Sequence, residues 1–142
     1  YGGSYGGFMA LTAMLRAPEL LRAGIAYAPV TDWRLYDTVY TERYMDGPSD
    51  NPEGYRRAAP LTWAEQLQGD LLLVHGDMDN NVHVQHTLQL VERLAGADLP
   101  FELMIYPRVR HLVRTSHFKM HFHQLKLDFL RRHLISREKV LD

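Results

Sequence analysis

Three residues far apart in the chain are of the types that move an acyl group through a serine: Ser4, Asp79 and His111. Ser4 lies in Gly2-Gly3-Ser4-Tyr5-Gly6-Gly7, a G-x-S-x-G pattern with glycine two residues to either side. The pattern suits a sharp strand-to-helix turn that holds the serine in a strained backbone conformation with its hydroxyl exposed. Glycines at the flanking positions remove Cβ clashes between the incoming strand and the outgoing helix. The helix start leaves N–H groups free to face a developing oxyanion. In such a set Ser4 would attack a carbonyl. His111 would take the proton and later return it to the leaving group. Asp79 would hold the imidazole and stabilise its charged form. The pattern is short, so an ordinary serine in a glycine-rich turn is the competing reading.

Each role has other candidates. Asp77 is as acidic as Asp79 and two residues away, and periodicity does not choose between them. Of eight histidines, His111 is favoured because it directly follows a strand, whereas His117, His121 and His123 fall on a helix. His117 and His121 have the i, i+4 spacing that can grip a metal, but no third ligand is obvious, so no metal site is expected. His75 ends a strand and reads as a packed or hydrogen-bonded histidine. Trp33, Tyr36, Tyr40 and Tyr44 form an aromatic group. They read either as a small core under a loop or as a pocket wall for a flat, rigid apolar side chain such as proline.

The elements that must position these groups alternate. Residues 8–16 read as the helix leaving the elbow, with Phe8, Leu11 and Leu15 at helical spacing. Residues 23–28 are a small-residue apolar run closed by Pro29, as in a strand buried on both faces. Residues 30–59 lack a clean period and read as a long excursion with short helices. Residues 60–67 resemble a further helix. Residues 70–76 are the clearest strand and 77–81 its loop. Residues 84–95 read as a helix with Leu88, Val91 and Ala95 on one face. Residues 101–106 read as a strand, 107–114 as its loop, and 116–133 as a helix with Phe118, Phe122, Leu125 and Phe129 on one face. Alternation of this kind implies an α/β, mostly parallel sheet flanked by helices. Loops at the carboxyl ends of such strands share one edge, so Ser4, Asp79 and His111 would meet there.

Composition narrows the class. The formal net charge is -1, which leaves no electrostatic footprint for a nucleic acid. There is no cysteine, which excludes thiolate and disulfide chemistry. The sequence opens at the nucleophile, so residues 1–142 are expected to be a C-terminal piece of a longer protein. That piece would hold about three strands of a larger sheet and would be poorly soluble by itself.

Several stretches resemble the peptidase domain of the prolyl oligopeptidase family, dipeptidyl peptidase IV branch. They are the elbow, Ala28-Pro29-Val30, Trp33, Tyr36-Asp37 with Tyr40-Thr41-Glu42-Arg43-Tyr44-Met45, and His75-Gly76-x-x-Asp79-x-Asn81-Val82-His83. The resemblance implies the α/β-hydrolase fold, of which this chain would be the C-terminal part. The rest of that domain and a β-propeller domain would be absent from it. It implies a serine peptidase releasing dipeptides with proline or alanine before the cut. The acid would be Asp79 and the base His111. Tyr5, Val30, Trp33, Tyr36, Tyr40 and Val82 would wall the pocket for the residue preceding the cut. Asn81 would donate to the substrate backbone, and the Tyr5 N–H would be one oxyanion donor. No cofactor is implied. A peptide is the implied partner, with a homodimer open to the full-length protein. The rivals are an acyl-aminoacyl peptidase or oligopeptidase of the same family, a carboxylesterase, and a non-catalytic relative or inactive fragment. Gly3 stands where the branch usually has tryptophan, and Leu112 where the family nearly always has glycine after the base. A Cβ at Leu112 would displace the base loop if that position needed positive φ.

Overall fold

The computed structural model describes residues 1–135. Four parallel strands lie in chain order: β1 (Gly2–Gly3), β2 (Ala23–Tyr27), β3 (Asp70–Gly76) and β4 (Glu102–Tyr106). Gly3 pairs with Tyr27, Tyr27 with Val74, and Gly76 with Tyr106, so the carboxyl ends of all four strands come level along one edge. Helix α1 (Tyr5–Arg16) follows β1, and a 3-10 turn Pro18–Leu20 leads into β2. The excursion contains a 3-10 turn Trp33–Leu35, then α2 (Thr38–Met45) and α3 (Pro52–Ala58). A longer 3-10 segment, Pro60–Gln66, returns the chain to β3. Helix α4 (Gln85–Gly96) joins β3 to β4, and α5 (Ser116–Leu130) with a π-helical turn Arg131–Ile135 follows β4. No helix among the described residues is long and apolar enough to cross a membrane.

The strands alternate between two cores, as a sheet covered on both faces must. Ala26, Leu71 and Leu73 face Leu11, Met14 and Leu15 of α1 and Leu90 and Leu94 of α4. Ile25, Tyr27, Leu72 and Val74 face Phe122 and Phe129 of α5, with Phe118 and Leu125 packed at the margin. The sequence places the right aromatic face on α5. Helix α4 is different. Leu88 is 49% exposed, and the inward face is His86, Thr87, Leu90 and Leu94. Two polar residues turn inward because each has a partner: Thr31 N–H donates to His86 Nδ1, and His75 Nδ1 lies 2.7 Å from Thr87 Oγ1.

The excursion is ordered by its polar residues. Asp37 accepts from Tyr40 N–H and caps α2, and Asn51 accepts from Gly54 N–H and caps α3. A third, smaller cluster of Val30, Trp33, Tyr55 and Val82 holds this segment down at the carboxyl edge of the sheet.

Candidate active site

Ser4 sits between β1 and α1 with φ 58° and ψ -122°, a conformation L residues rarely adopt. Its backbone is held at both sides. Ser4 N–H donates to Tyr27 O at 2.8 Å, and Phe8 N–H donates to Ser4 O at 3.0 Å. A Cβ on Gly2 would lie 1.9 Å from Gly6 O, so the first glycine of the pattern is obligatory. The second is not what the pattern suggests. A Cβ on Gly6 would meet nothing within 4 Å, whereas one on Gly7 would lie 2.7 Å from Tyr27 O and 3.1 Å from Pro29 Cα. One residue advances a helix by about 100°, which turns Gly7 rather than Gly6 onto the sheet.

The three distant residues meet at the shared strand edge. Ser4 Oγ lies 2.9 Å from His111 Nε2, and His111 Nδ1 lies 2.7 Å from Asp79 Oδ2. The other oxygen, Asp79 Oδ1, accepts from Asn81 N–H at 2.9 Å and Val82 N–H at 3.1 Å. Burial pushes the Asp79 carboxyl upward, but hydrogen bonds from His111, His75 and the Asn81 N–H outweigh it and hold the group well below the usual carboxylate range. An ionised Asp79 can only accept, so His111 Nδ1 carries the proton. Nε2 is then the free acceptor, and the Ser4 hydroxyl donates to it.

Asp77 and Asp79 take different places. Asp77 Oδ1 accepts from Arg108 N–H and ties the loop after β3 to the loop after β4. Met78 N–H donates to Val109 O at 3.1 Å, which adds a second tie. A third holds His111 itself: Tyr27 OH donates to His111 O at 2.8 Å. Burial raises the Tyr27 phenol to about 12, so it stays a donor. Leu112 does not have positive φ and its side chain is 57% exposed. The loop therefore closes on Asp79 and Ser4 without glycine after the base.

His75 is fully buried beneath this set. Its Nε2 is 2.8 Å from Val82 O, which can only accept, so Nε2 is protonated and also reaches Asp79 Oδ2 at 3.3 Å. The histidine expected to be packed or hydrogen-bonded is both. His121 Nδ1 lies 2.7 Å from Tyr106 OH, and the His117 ring packs on Phe118 at 4.1 Å. No group of three metal-ligating side chains occurs among the described residues.

At Tyr5, next to Ser4, opens a mainly aromatic cavity of about 390 Å³ lined by Tyr5, Phe8, Trp33, Tyr40, Thr41, Tyr44 and Met45. Tyr40 stacks on Trp33 with centroids 5.9 Å apart, and Tyr5 and Phe8 close on the same indole at 6.2 and 5.1 Å. Tyr5, Trp33 and Tyr40 thus line the cavity. Val30 and Val82 are buried in the cluster behind Trp33 and do not reach its surface. Tyr36 backs the stack edge-on and donates its OH to Asn81 Oδ1 at 2.7 Å. That bond orients the Asn81 amide with its NH₂ directed away from Tyr36. Phe8 and Met45 are cavity residues that pattern reading did not single out. Both were accessible to it, since Phe8 lies one turn after Tyr5 and Met45 five residues after Tyr40 on the same short helix.

The sequence signature of the Prolyl oligopeptidase family matches residues 1–137. The chain belongs to the prolyl oligopeptidase family. Within it, the chain is 41% identical over 140 residues to dipeptidyl peptidase 8 of Homo sapiens, covering 96% of this chain and 16% of that protein. It is 42% identical over 134 residues to the probable dipeptidyl-aminopeptidase B of Coccidioides posadasii, covering 92% of this chain and 14% of that protein. The crystal structure of Porphyromonas gingivalis dipeptidyl peptidase 4 superposes with a TM-score of 0.92 at 44% identity, over 94% of this chain and 19% of that one. The chain therefore spans less than a fifth of the length of these prolyl oligopeptidase family relatives. Its four-stranded parallel sheet flanked by helices is the α/β-hydrolase architecture of those structural neighbours.

Proposed function

We propose that this chain is the C-terminal part of the catalytic domain of a longer serine peptidase. Its enzyme would release dipeptides from peptide amino termini, with proline or alanine before the cut. The observation that carries the reading is the continuous relay from Ser4 Oγ through His111 to a buried, ionised Asp79. Ser4 Oγ attacks the carbonyl carbon as its proton passes to His111 Nε2. Asp79 stabilises the imidazolium. The Tyr5 N–H, in the unpaired first turn of α1, faces the oxyanion. His111 then protonates the leaving amine and the acyl-serine forms. Water, deprotonated by the same nitrogen, releases the dipeptide.

The strained Ser4 backbone supports the nucleophile assignment, since such strain persists where surrounding structure over-determines it. The aromatic cavity supports the preference before the cut. Its walls are flat and rigid, as a pyrrolidine ring requires, and they offer no charged group to partner a long polar side chain. Asn81 is oriented to donate to the substrate backbone. The names of relatives support dipeptide release. By resemblance, an upstream tyrosine supplies the second oxyanion donor, and acidic residues in a preceding propeller grip the substrate amine.

The test uses the full-length protein with glycyl-prolyl and alanyl-prolyl chromogenic amides, each beside its N-blocked form. Turnover of the free amines alone, lost in Ser4→Ala, is expected. Equal turnover of the blocked forms would move the enzyme to the oligopeptidase or acyl-aminoacyl branch of the family.

A further inference from the structure

Charge is distributed unevenly around Ser4. Residues 103–127 contain Arg108, Arg110, Arg114, Lys119 and Lys126 and no aspartate or glutamate, in a chain of net charge -1. This stretch forms most of β4, the base loop and the first turns of α5. A second cavity of about 390 Å³ opens there, lined by Gly3, Ser4, His111, Phe122, Lys119 and Lys126. It meets, at His111 and Leu112, a larger polar cavity lined by the three arginines and one carboxylate, Asp37. Neither Lys119 nor Lys126 has a carboxylate partner among the described residues. Lys126 Nζ rests over the rings of Tyr1 and Phe122 at 4.3 and 4.7 Å, which fixes its position and leaves its charge available.

The two cavities beside the nucleophile must serve opposite halves of a substrate. The leaving amine takes its proton from His111 Nε2, so the segment after the cut passes His111. The cationic cavity contains Ser4 and His111, whereas the aromatic one contains neither. Gly3, the residue before Ser4, lines the cationic cavity.

We infer that the leaving-group side of this site selects peptides carrying a carboxylate one or two positions beyond the cut, either an acidic side chain or a free C-terminus. The inference rests on the peptidase reading. The positive field favours encounter with such substrates, and Lys119 and Lys126 pair with the carboxylate in a cavity where water is partly displaced.

The experiment follows release of Ala-Pro by mass spectrometry from Ala-Pro-X-Ala amides with X as Glu, Gln or Lys, and from Ala-Pro-Ala with a free or amidated C-terminus. The full-length protein is used throughout. For exposed pairs of this kind, kcat/KM should be about two- to fivefold higher for Glu than for Gln, with Lys lowest. The preference should fall toward parity between about 50 mM and about 500 mM salt. The combined Lys119→Gln, Lys126→Gln variant should bring the Glu-to-Gln ratio near one, while Arg93→Gln on the distant α4 preserves it. The tripeptide pair separates the two carboxylate sources. Equal rates for Glu, Gln and Lys peptides at low salt, with no tripeptide preference, would overturn the inference and leave the peptidase reading intact. No release from any peptide would remove both. The salt series needs no variant, so a misfolded double substitution does not rescue the idea.

Discussion

Replacing Gly76 by alanine tests whether the acid and base loops must be held at their present separation. Gly76 ends β3, three residues before Asp79, and lies against the base loop. A Cβ there would sit 2.2 Å from Val109 O and 2.8 Å from Arg110 O. Real Cβ atoms do not approach such neighbours within 3.0 Å, so the loops must part by at least 0.8 Å. The obstacle is backbone on both sides, and Met78 N–H is bonded to Val109 O at 3.1 Å. No flexible side-chain tip can yield instead. His111 is two residues from Val109, and its bonds of 2.7 Å to Asp79 and 2.9 Å to Ser4 cannot both survive a displacement of that size. A misplacement of about 1 Å costs on the order of 10²-fold in rate. The expected result for Gly76→Ala in the full-length protein is a kcat about 10²-fold lower, with KM little changed and the protein still folded. Gly96→Ala is the control, since a Cβ there meets nothing within 4 Å and Gly96 does not have positive φ. A Gly76→Ala enzyme within threefold of wild type would refute the idea that the loop spacing sets the relay.

Three further outcomes follow from the same geometry. Tyr27→Phe removes one hydrogen bond, from Tyr27 OH to His111 O, and should lower kcat severalfold and stability by about 1 kcal/mol, measured by stopped assays and urea melts. An unchanged kcat would show that the other loop ties suffice. Tyr40→Ala removes one face of the aromatic cavity and should lower kcat/KM for prolyl amides about tenfold, with little effect on glycyl-glycyl amides, since the stacked ring is worth roughly 0.5–1.5 kcal/mol beyond its buried area. Loss shared equally by both substrates would argue against a prolyl pocket. His86 is fully buried, and burial first, then the nearby His75, pushes it from 6.5 down to about 4. Because the folded value is depressed, its contribution is present above pH 6.5 and lost as pH falls toward about 4. At 1.36 kcal/mol per pH unit the gap is worth about 3 kcal/mol. Urea midpoints of wild type should therefore fall more steeply between pH 6.5 and 4.5 than those of His86→Gln; parallel profiles would sink this reading.

The gross arrangement is legible because it rests on hydrophobic periodicity. The run Asp70–Gly76 holds a short, continuous apolar stretch and ends in glycine, which favours a buried strand, and the aromatic spacing of α5 gives its packed face. The meeting of Ser4, Asp79 and His111 is legible because chain order and strand ends alone bring them to one edge. What fails does so where polar groups are partnered. On α4, hydropathy favours Leu88, but Thr87 and His86 win the interior through bonds to His75 and Thr31. Asp77 and Asp79 are equivalent to periodicity. The family motif points to Asp79, and the fold gives Asp77 a backbone N–H and Asp79 the imidazole. The elbow glycines fail differently. G-x-S-x-G marks Gly6, but helix phase puts the close contact at Gly7. The family resemblance implies Val30 and Val82 as pocket wall, yet in this chain they are buried in the cluster with Trp33.

The central claim is that Ser4 is a nucleophile activated by His111 and Asp79. Labelling the full-length protein with a fluorophosphonate and mapping the adduct by mass spectrometry tests it most directly. One adduct is expected, on the peptide containing Ser4, absent in Ser4→Ala and formed at least about 10³-fold more slowly in His111→Gln. A label on another residue, or one that persists in Ser4→Ala, would contradict the account.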